Sequence, residues 1–253
     1  MPTPSPPRPS PTSTTSTTST TSTTSTTRHT TPRRPLPRLL VITDAASAAL
    51  RGRGVVATVA AMLRGLPAPA AVDVAVVVRE KAAAVDDVTA LCGALRAITR
   101  RAGVGLLVHG RPALVGPLGL DGVHLDGRAD AAVVRAARLR LPPGAWLGVS
   151  RHAHDVGAGG LAVEGADYAT LSPVFRPTSK PDDERPPLGP AALSGHRLPV
   201  FALGGVDEGS VGPCLAAGAA GVAVLGGVMG ATDPARALSG LRGALPPRPR
   251  EPR

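Results

Sequence analysis

Residues 38–245 repeat one pattern, and this repetition limits the possible folds more than any other feature of the sequence. Short runs of Val, Leu and Ile alternate with longer segments rich in Ala, Leu and Arg whose apolar residues recur at helical spacing. This alternation is typical of successive strand and helix units around a parallel sheet. We predict strands at residues 38–43, 73–78, 104–108, 121–125, 145–149, 167–171, 199–203 and 220–225.

The segments between these strands decide the fold class. Predicted helices occupy residues 54–65, 83–101, 130–139, 207–217 and 233–243, and the helical signal is weaker after the third and sixth strands. Eight strand and helix pairs in about 208 residues favour an α/β fold of the closed (β/α)8 TIM barrel type, since such barrels start near ~200 residues. An open doubly wound sheet is the alternative, because periodicity does not distinguish the two.

The two ends of the chain differ from this body in composition. Residues 1–37 are rich in Ser, Thr and Pro and carry four Arg and no acidic residue, and residues 246–253 form a Pro/Arg tail. Because the leader has few apolar side chains to offset the entropy of ordering it, we predict that it is disordered. A transit peptide and a misassigned start codon are alternatives for the leader. The predicted barrel therefore spans residues 38–245.

Charge and cysteine content restrict the partners. The net charge is +10, but the body alone holds 21 basic and 17 acidic side chains, a net of +4, so a nucleic-acid partner is not indicated. No stretch approaches the roughly 20 apolar residues that cross a membrane. Cys92 and Cys214 lack metal-site or disulfide spacing, which fits a reducing compartment. We expect a soluble cytoplasmic protein, and we leave homo-oligomer formation open.

Most of the unusual polar residues and glycines follow the C-terminal ends of predicted strands, where barrels carry their functional sites. Two glycine pairs follow the seventh and eighth strands, where bare backbone and a following helix N-terminus suit a phosphate group. The alternative is that these glycines only make tight turns. The proline-rich loop after the sixth strand adds further donors to an anion. The predicted ligand-binding set is Arg79, Lys81, His109, Arg111, Ser150, Thr178, Ser179, Gly204, Gly205, Gly226 and Gly227.

Several motifs in this order carry a family resemblance. VVVREK, DGVHL, GVSRH, GADYATLSPVFRPTSKP, PVFALGG and AAGAAGVAVLGGVMGATDP resemble the motifs of the thiamine-phosphate synthase/TenI superfamily. The resemblance implies a (β/α)8 barrel of thiamine biosynthesis that binds a thiazole phosphate at its mouth. It implies one of two reactions. A synthase joins the thiazole to an aminopyrimidine diphosphate with Mg²⁺, whereas the TenI branch includes a thiazole tautomerase that needs no metal.

Single positions favour the TenI branch. The synthase pattern has Gln where this chain has Val77, and Asn-Asp-Arg where it has His109, Gly110 and Arg111. The absent Asp is an implied Mg²⁺ ligand, and Asp126 is only a displaced candidate for the metal. In the TenI branch the acid/base is a His after the fifth strand, the position of His152. An imidazole exchanges protons near neutral pH, which suits tautomerisation.

The sequence therefore predicts an enzyme of thiamine biosynthesis whose small-molecule partner is a thiazole phosphate. We expect a tautomerase that uses His152 and Lys180 as catalytic residues and no cofactor. The alternative within the family is a divergent thiamine-phosphate synthase that requires Mg²⁺. A third hypothesis is a protein that binds a phosphorylated ligand without catalysis, as a regulator would.

Overall fold

Eight parallel strands form the centre of the protein. The computed structural model describes residues 34–157, 160–176 and 185–248, together with Met1 and Thr3. The chain divides after Thr30, and residues 31–253 form one compact unit. The strands are β1 (Leu39–Ile42), β2 (Val74–Val78), β3 (Gly105–His109), β4 (Gly122–Leu125), β5 (Trp146–Arg151), β6 (Tyr168–Leu171), β7 (Val200–Leu203) and β8 (Gly221–Val224).

The sheet closes on itself. Each strand pairs in parallel with the next one along the chain, and β8 pairs with β1, with Leu39 opposite Val222. All eight predicted strands are present within two residues of their predicted bounds. The predicted TIM barrel is confirmed, and the open-sheet alternative is wrong because the first and last strands share hydrogen bonds.

The helices agree with the prediction where they are long. The α-helices in the described residues are α1 (Ala45–Ala49), α2 (Val55–Met62), α3 (Ala68–Ala71), α4 (Val85–Ala102), α5 (Ala131–Arg140), α6 (Glu208–Ala216), α7 (Gly226–Met229) and α8 (Pro234–Gly243). The helices α1, α3 and α7 were not predicted, because four or five residues are too few to show a helical period.

The expectation of eight strand and helix pairs is wrong in three places within the described residues. After β3, β5 and β6 the chain forms only single 3₁₀ turns, at Pro112–Leu114, Ala153–Asp155 and Pro190–Leu193. Proline begins two of these turns, and the surrounding Pro and Gly residues oppose a longer helix. One wall of the barrel mouth is therefore built from loops.

Helix α4 shows how the sequence directs this packing. Val88, Cys92, Leu95 and Thr99 recur at helical spacing, and all four are buried against the barrel. Acidic residues occupy the first turn of α4 and arginines the last, which complements the helix dipole. The helices α5, α6 and α8 each begin after an aspartate whose carboxylate accepts a hydrogen bond from a backbone N–H three residues later.

The barrel has two apolar layers, as expected for this fold. Buried side chains between strands and helices form the larger one, and a smaller cluster fills the barrel interior. The interior cluster consists of Leu40, Ile42, Ala75, Val77, Leu107, Trp146, Tyr168, Phe201 and Ala223. No helix among the described residues is both long and apolar enough to span a bilayer.

Both ends of the described chain close the floor of the barrel, at the N-terminal ends of the strands. The Trp146 indole donates to the backbone oxygen of Arg34 at 3.2 Å, and the Arg34 guanidinium lies 5.3 Å from the Trp146 ring centroid. Arg248 donates to the Leu36 carbonyl oxygen at 2.6 Å and pairs with Asp73 at 2.6 Å. Residues 34–37, which we assigned to the leader, therefore contact the barrel, whereas the predicted disorder of residues 4–33 lies outside the described residues.

These floor contacts predict different effects for two N-terminal deletions. We expect removal of residues 1–33 to leave the free energy of unfolding unchanged. Removal of residues 1–37 also removes Leu36 and the Arg34 contacts, and should cost about 1–3 kcal/mol because a partly buried apolar side chain and several hydrogen bonds are lost. Urea denaturation of both variants measures this, and equal stabilities would contradict the role of residues 34–37.

Candidate active site

A cavity of about 380 Å³ opens at the C-terminal ends of the strands. Its base is apolar and formed by residues at or next to the ends of β1, β2 and β7, namely Ile42, Val77 and Leu203. Its walls are polar. Of the predicted site residues, those that line the cavity are Arg79, Lys81, His109, Asp126, Ser150, His152, Gly204, Gly205, Gly226 and Gly227. An apolar base with a few polar groups above it suits a small phosphorylated ring.

Cations line the wall formed by the β2 loop. The end of β2 is fixed to β1, because the Thr43 hydroxyl donates to the Glu80 carboxylate at 2.8 Å and accepts from the Arg79 backbone N–H at 2.9 Å. This arrangement places Arg79 and Lys81 at the cavity. Glu80, in contrast, faces the β1 end, where it also accepts from the Ala45 N–H at 3.3 Å.

The sequence prediction missed one cationic residue and included another that lies elsewhere. Arg185 lines the cavity, and the signal for it was a further cation within the same proline-rich segment that we singled out. Arg111 is not among the cavity residues; its guanidinium donates to the Ala83 carbonyl oxygen at 3.0 Å and so anchors the loop before α4. Thr178, Ser179 and Lys180 lie outside the described residues.

His152 lies directly after β5 on the cavity wall. Its Nδ1 is 2.9 Å from the Ser172 carbonyl oxygen and 3.4 Å from the Arg185 guanidinium. A carbonyl oxygen can only accept, and its contact is the shorter one, so Nδ1 carries the proton in neutral His152. The Nε2 atom then has a lone pair. A ring held in one orientation with a basic nitrogen at the cavity is equipped for proton transfer.

His109 and His124 also line the cavity, and both are neutral. Burial lowers the pKa of His109 to about 4, and the positive charge of Arg79 contributes. Burial also lowers the pKa of His124 to about 3, and His109 and Arg79 act in the same direction. A neutral imidazole offers one N–H, so His109 can give a phosphate one hydrogen bond but no charge.

The glycines after β7 and β8 differ in the space around them. Gly204 has a φ of 92° and Gly205 a φ of 65°, a region that disfavours residues with side chains. A Cβ on Gly204 would lie 2.9 Å from the Cα of Pro173, and one on Gly205 would lie 2.6 Å from the Arg176 oxygen. Packing of the β6 loop therefore requires both glycines. A Cβ on Gly227 would meet only the Val206 oxygen, at 3.9 Å, so the protein itself leaves that space open.

The described part of the cavity wall is poor in metal ligands. Within the described residues, no group of three His, Cys, Asp or Glu side chains could hold a metal ion. Among the described residues, the carboxylates of Asp126 and Asp207 line the cavity. Asp207 accepts from the Ser210 N–H at 2.9 Å and caps α6, and Asp126 accepts from the Arg128 N–H at 2.8 Å. This donor set does not form a built Mg²⁺ site, so we assign no reaction step to a metal.

The comparison with protein families shows which family the chain belongs to. The family described as thiamine monophosphate synthase matches residues 39–228, which is most of the barrel. The chain belongs to the thiamine-phosphate synthase/TenI family. The resemblance predicted from the sequence motifs is therefore confirmed.

Other members of the thiamine-phosphate synthase/TenI family match over most of their length. A thiamine-phosphate synthase of Chloroflexus aurantiacus is 37% identical over 210 residues, which cover 81% of this chain and 91% of the relative. One of Methanoculleus marisnigri is 42% identical over 164 residues, 62% of this chain and 74% of the relative. A putative thiamine-phosphate synthase of Geobacter sulfurreducens is 37% identical over 177 residues, covering 68% and 81%.

Solved structures support the fold of this thiamine-phosphate synthase/TenI family member. The thiamine phosphate pyrophosphorylase of Pyrococcus furiosus superposes with a TM-score of 0.63 at 24% identity, covering 82% of this chain and 94% of that one. A 3-hexulose-6-phosphate synthase reaches a TM-score of 0.51 at 17% identity, covering 83% and 100%. At these identities the likeness concerns the barrel and not the reaction.

Proposed function

We propose that this protein is an enzyme of thiamine biosynthesis that binds a thiazole phosphate in the barrel-mouth cavity. The observation that carries the proposal is that the β2 cations, His152 and both glycine pairs line one cavity of about 380 Å³. The open space beside Gly227 accepts the phosphate group, and the apolar base contacts the ring. Asp207 already caps α6, so hydrogen bonds to the phosphate come from loop N–H groups and not from the end of α6.

The arrangement supports the tautomerase reaction best. His152 Nε2 accepts a proton from one atom of the non-aromatic ring, and the imidazolium returns a proton to another. The sum is an isomerisation, so no atoms or electrons are needed from elsewhere. The hydrogen bond from Nδ1 to the Ser172 oxygen keeps the ring oriented in both protonation states, because Nδ1 donates in each.

The synthase reaction is the second candidate, and the names of the relatives favour it. Three relatives at 37–42% identity are called thiamine-phosphate synthase or putative thiamine-phosphate synthase. The cations Arg79, Lys81 and Arg185 could hold the diphosphate of an aminopyrimidine substrate. Two positions oppose this reaction: Val77 is apolar where the synthase pattern has Gln, and Gly110 stands where it has Asp.

Two parallel assays decide between these reactions. In the first, purified protein receives the non-aromatic tautomer of thiazole phosphate carboxylate with a chelator, and aromatisation is followed by absorbance. In the second, it receives thiazole phosphate, aminopyrimidine diphosphate and Mg²⁺, and thiamine phosphate is measured by chromatography. Turnover in the first assay alone supports the tautomerase. Turnover in the second alone supports the synthase, and binding without turnover in either supports the non-catalytic alternative.

The open space beside Gly227 gives a separate test of phosphate binding. We expect Gly227→Ala to weaken the affinity for thiazole phosphate about tenfold, because the new methyl group occupies phosphate space, a loss of about 1.4 kcal/mol. Stability should not fall, since no protein atom crowds the methyl group. Titration calorimetry measures the affinity. Gly212→Ala, an exposed and uncrowded position in α6, is the matched control, and equal affinities of the two variants would contradict the assignment.

A further inference from the structure

Three polar side chains form a hydrogen-bonded chain from the barrel interior to the cavity. The Tyr168 hydroxyl is 3.1 Å from Nδ1 of His124, and Nε2 of His124 is 3.0 Å from the Ser150 hydroxyl oxygen. Tyr168 and His124 are 1% and 3% exposed, and the chain reaches the cavity at His124 and Ser150, which both line it. We call these three residues the interior chain. Neither the proton transfer by His152 nor the phosphate site uses Tyr168 or His124.

The barrel sets aside space for the interior chain. A Cβ on Gly148, between His124 and Tyr168, would lie 2.1 Å from the Cζ atom of Tyr168 and 2.6 Å from Nδ1 of His124. The two rings stack with centroids 5.5 Å apart, and Phe201 packs against Tyr168 from the other side at 5.0 Å. A buried polar pair is costly unless its hydrogen bonds are satisfied, so its donors and acceptors must match.

This matching determines which nitrogen of His124 carries the proton. Within the described residues, the Tyr168 hydroxyl has one hydrogen-bond partner, His124 Nδ1. If Nδ1 carried the proton, both hydrogens would point at each other or the phenol hydrogen would have no acceptor. If Nε2 carries it, the phenol donates to Nδ1 and Nε2–H donates to Ser150. Thr170 lies farther from Nε2, at 3.4 Å, so Ser150 is the main acceptor.

We propose that Tyr168 and His124 are positioning residues that make the Ser150 hydroxyl a hydrogen-bond donor to the bound ligand. Since Ser150 accepts from Nε2–H, its own hydrogen is available to an acceptor on a ligand in the cavity. We therefore expect the ligand to present an acceptor there, such as a carboxylate oxygen or a ring nitrogen with a lone pair. A ligand with an N–H or NH₂ group at this point would use the second lone pair of the hydroxyl and leave the hydroxyl hydrogen without an acceptor on the ligand, so we expect it to bind more weakly. This selectivity rests on the proposed thiazole phosphate site.

The tautomer of His124 can be measured without any ligand. Long-range ¹H–¹⁵N NMR spectra distinguish a protonated Nε2 from a protonated Nδ1. We expect the wild-type protein to show Nε2–H for His124, and Tyr168→Phe to show a mixture, because the donor to Nδ1 is gone. A wild-type protein with Nδ1–H would overturn the proposal, whatever the outcome of the activity assays.

A double-mutant cycle tests the effect on the ligand. The probe is thiazole phosphate carboxylate, measured by titration calorimetry. We expect Ser150→Ala and Tyr168→Phe each to weaken binding about three- to tenfold, the range for one neutral hydrogen bond. In the Ser150→Ala protein, Tyr168→Phe should have no further effect, because Tyr168 acts through Ser150. An undiminished effect there would overturn the relay. Thr170→Val is the control and should change the affinity less than twofold. If the wild-type protein does not bind the probe, the proposed function fails and the tautomer measurement still stands.

Discussion

Substitution of His152 by alanine should lower the rate of thiazole aromatisation by about 10²–10⁴-fold, the usual contribution of a general acid/base. The affinity for thiazole phosphate should change little, because the phosphate contacts that we propose lie in the loops after β7 and β8. The physical reason is the fixed orientation of the ring: Nδ1 donates to the Ser172 carbonyl oxygen, and Nε2 serves the substrate. Stopped-flow absorbance measures the rate, and calorimetry the affinity.

Two other variants separate chemistry from structure. His152→Gln keeps an N–H that can donate to the Ser172 oxygen but cannot exchange a proton near neutral pH, so it should be as slow as His152→Ala. His154→Ala removes a neighbouring imidazole that is 77% exposed and absent from the cavity, and should react as fast as wild type. A normal rate in His152→Gln would remove His152 from the reaction.

Substitution of Gly148 by alanine should destabilise the barrel severely. The added methyl group would overlap Tyr168 at 2.1 Å and the His124 ring at 2.6 Å. Neither ring can move within the filled barrel, so we expect a loss of about 3–5 kcal/mol or failure to fold. Chemical denaturation measures the loss.

A second glycine provides the comparison for this prediction. Gly93 lies on the exposed side of α4, where a Cβ would meet no atom within 4 Å. Because alanine favours a helix, Gly93→Ala should raise stability by about 0.5–1 kcal/mol. Similar effects of the two substitutions would show that the Tyr168 and His124 rings are not packed as described.

The fold was predictable to the extent that it depends on periodicity. All eight strands could be located because buried strands appear as short Val- and Leu-rich runs bounded by polar or glycine residues. Closure was not determined by periodicity, and only the number of strand and helix pairs and the length of the segment that holds them favoured it. The loops after β3, β5 and β6 were harder, because none of them has a periodic pattern that indicates which of its residues turn toward a cavity.

The residues of the candidate site were also predictable only in part. The rule that barrel sites follow the strands located Arg79, Lys81 and His152 at the cavity. The same rule also selected Arg111, whose long side chain turns to the Ala83 carbonyl oxygen. The pairing of Tyr168 with His124 escaped the prediction entirely. It depends on the space left by Gly148 and on strands two apart in the barrel, and neither appears as a local pattern.

The floor of the barrel has a practical consequence for redesign of this chain. Arg34 and Arg248 both contact residues at the strand ends opposite the cavity, and Arg248 bonds directly to the backbone of Leu36. A peptide linker could therefore join the chain on this face of the barrel, away from the cavity. Circularly permuted versions, opened instead at an outer loop between helices, should keep the catalytic mouth intact and free both original termini from the design.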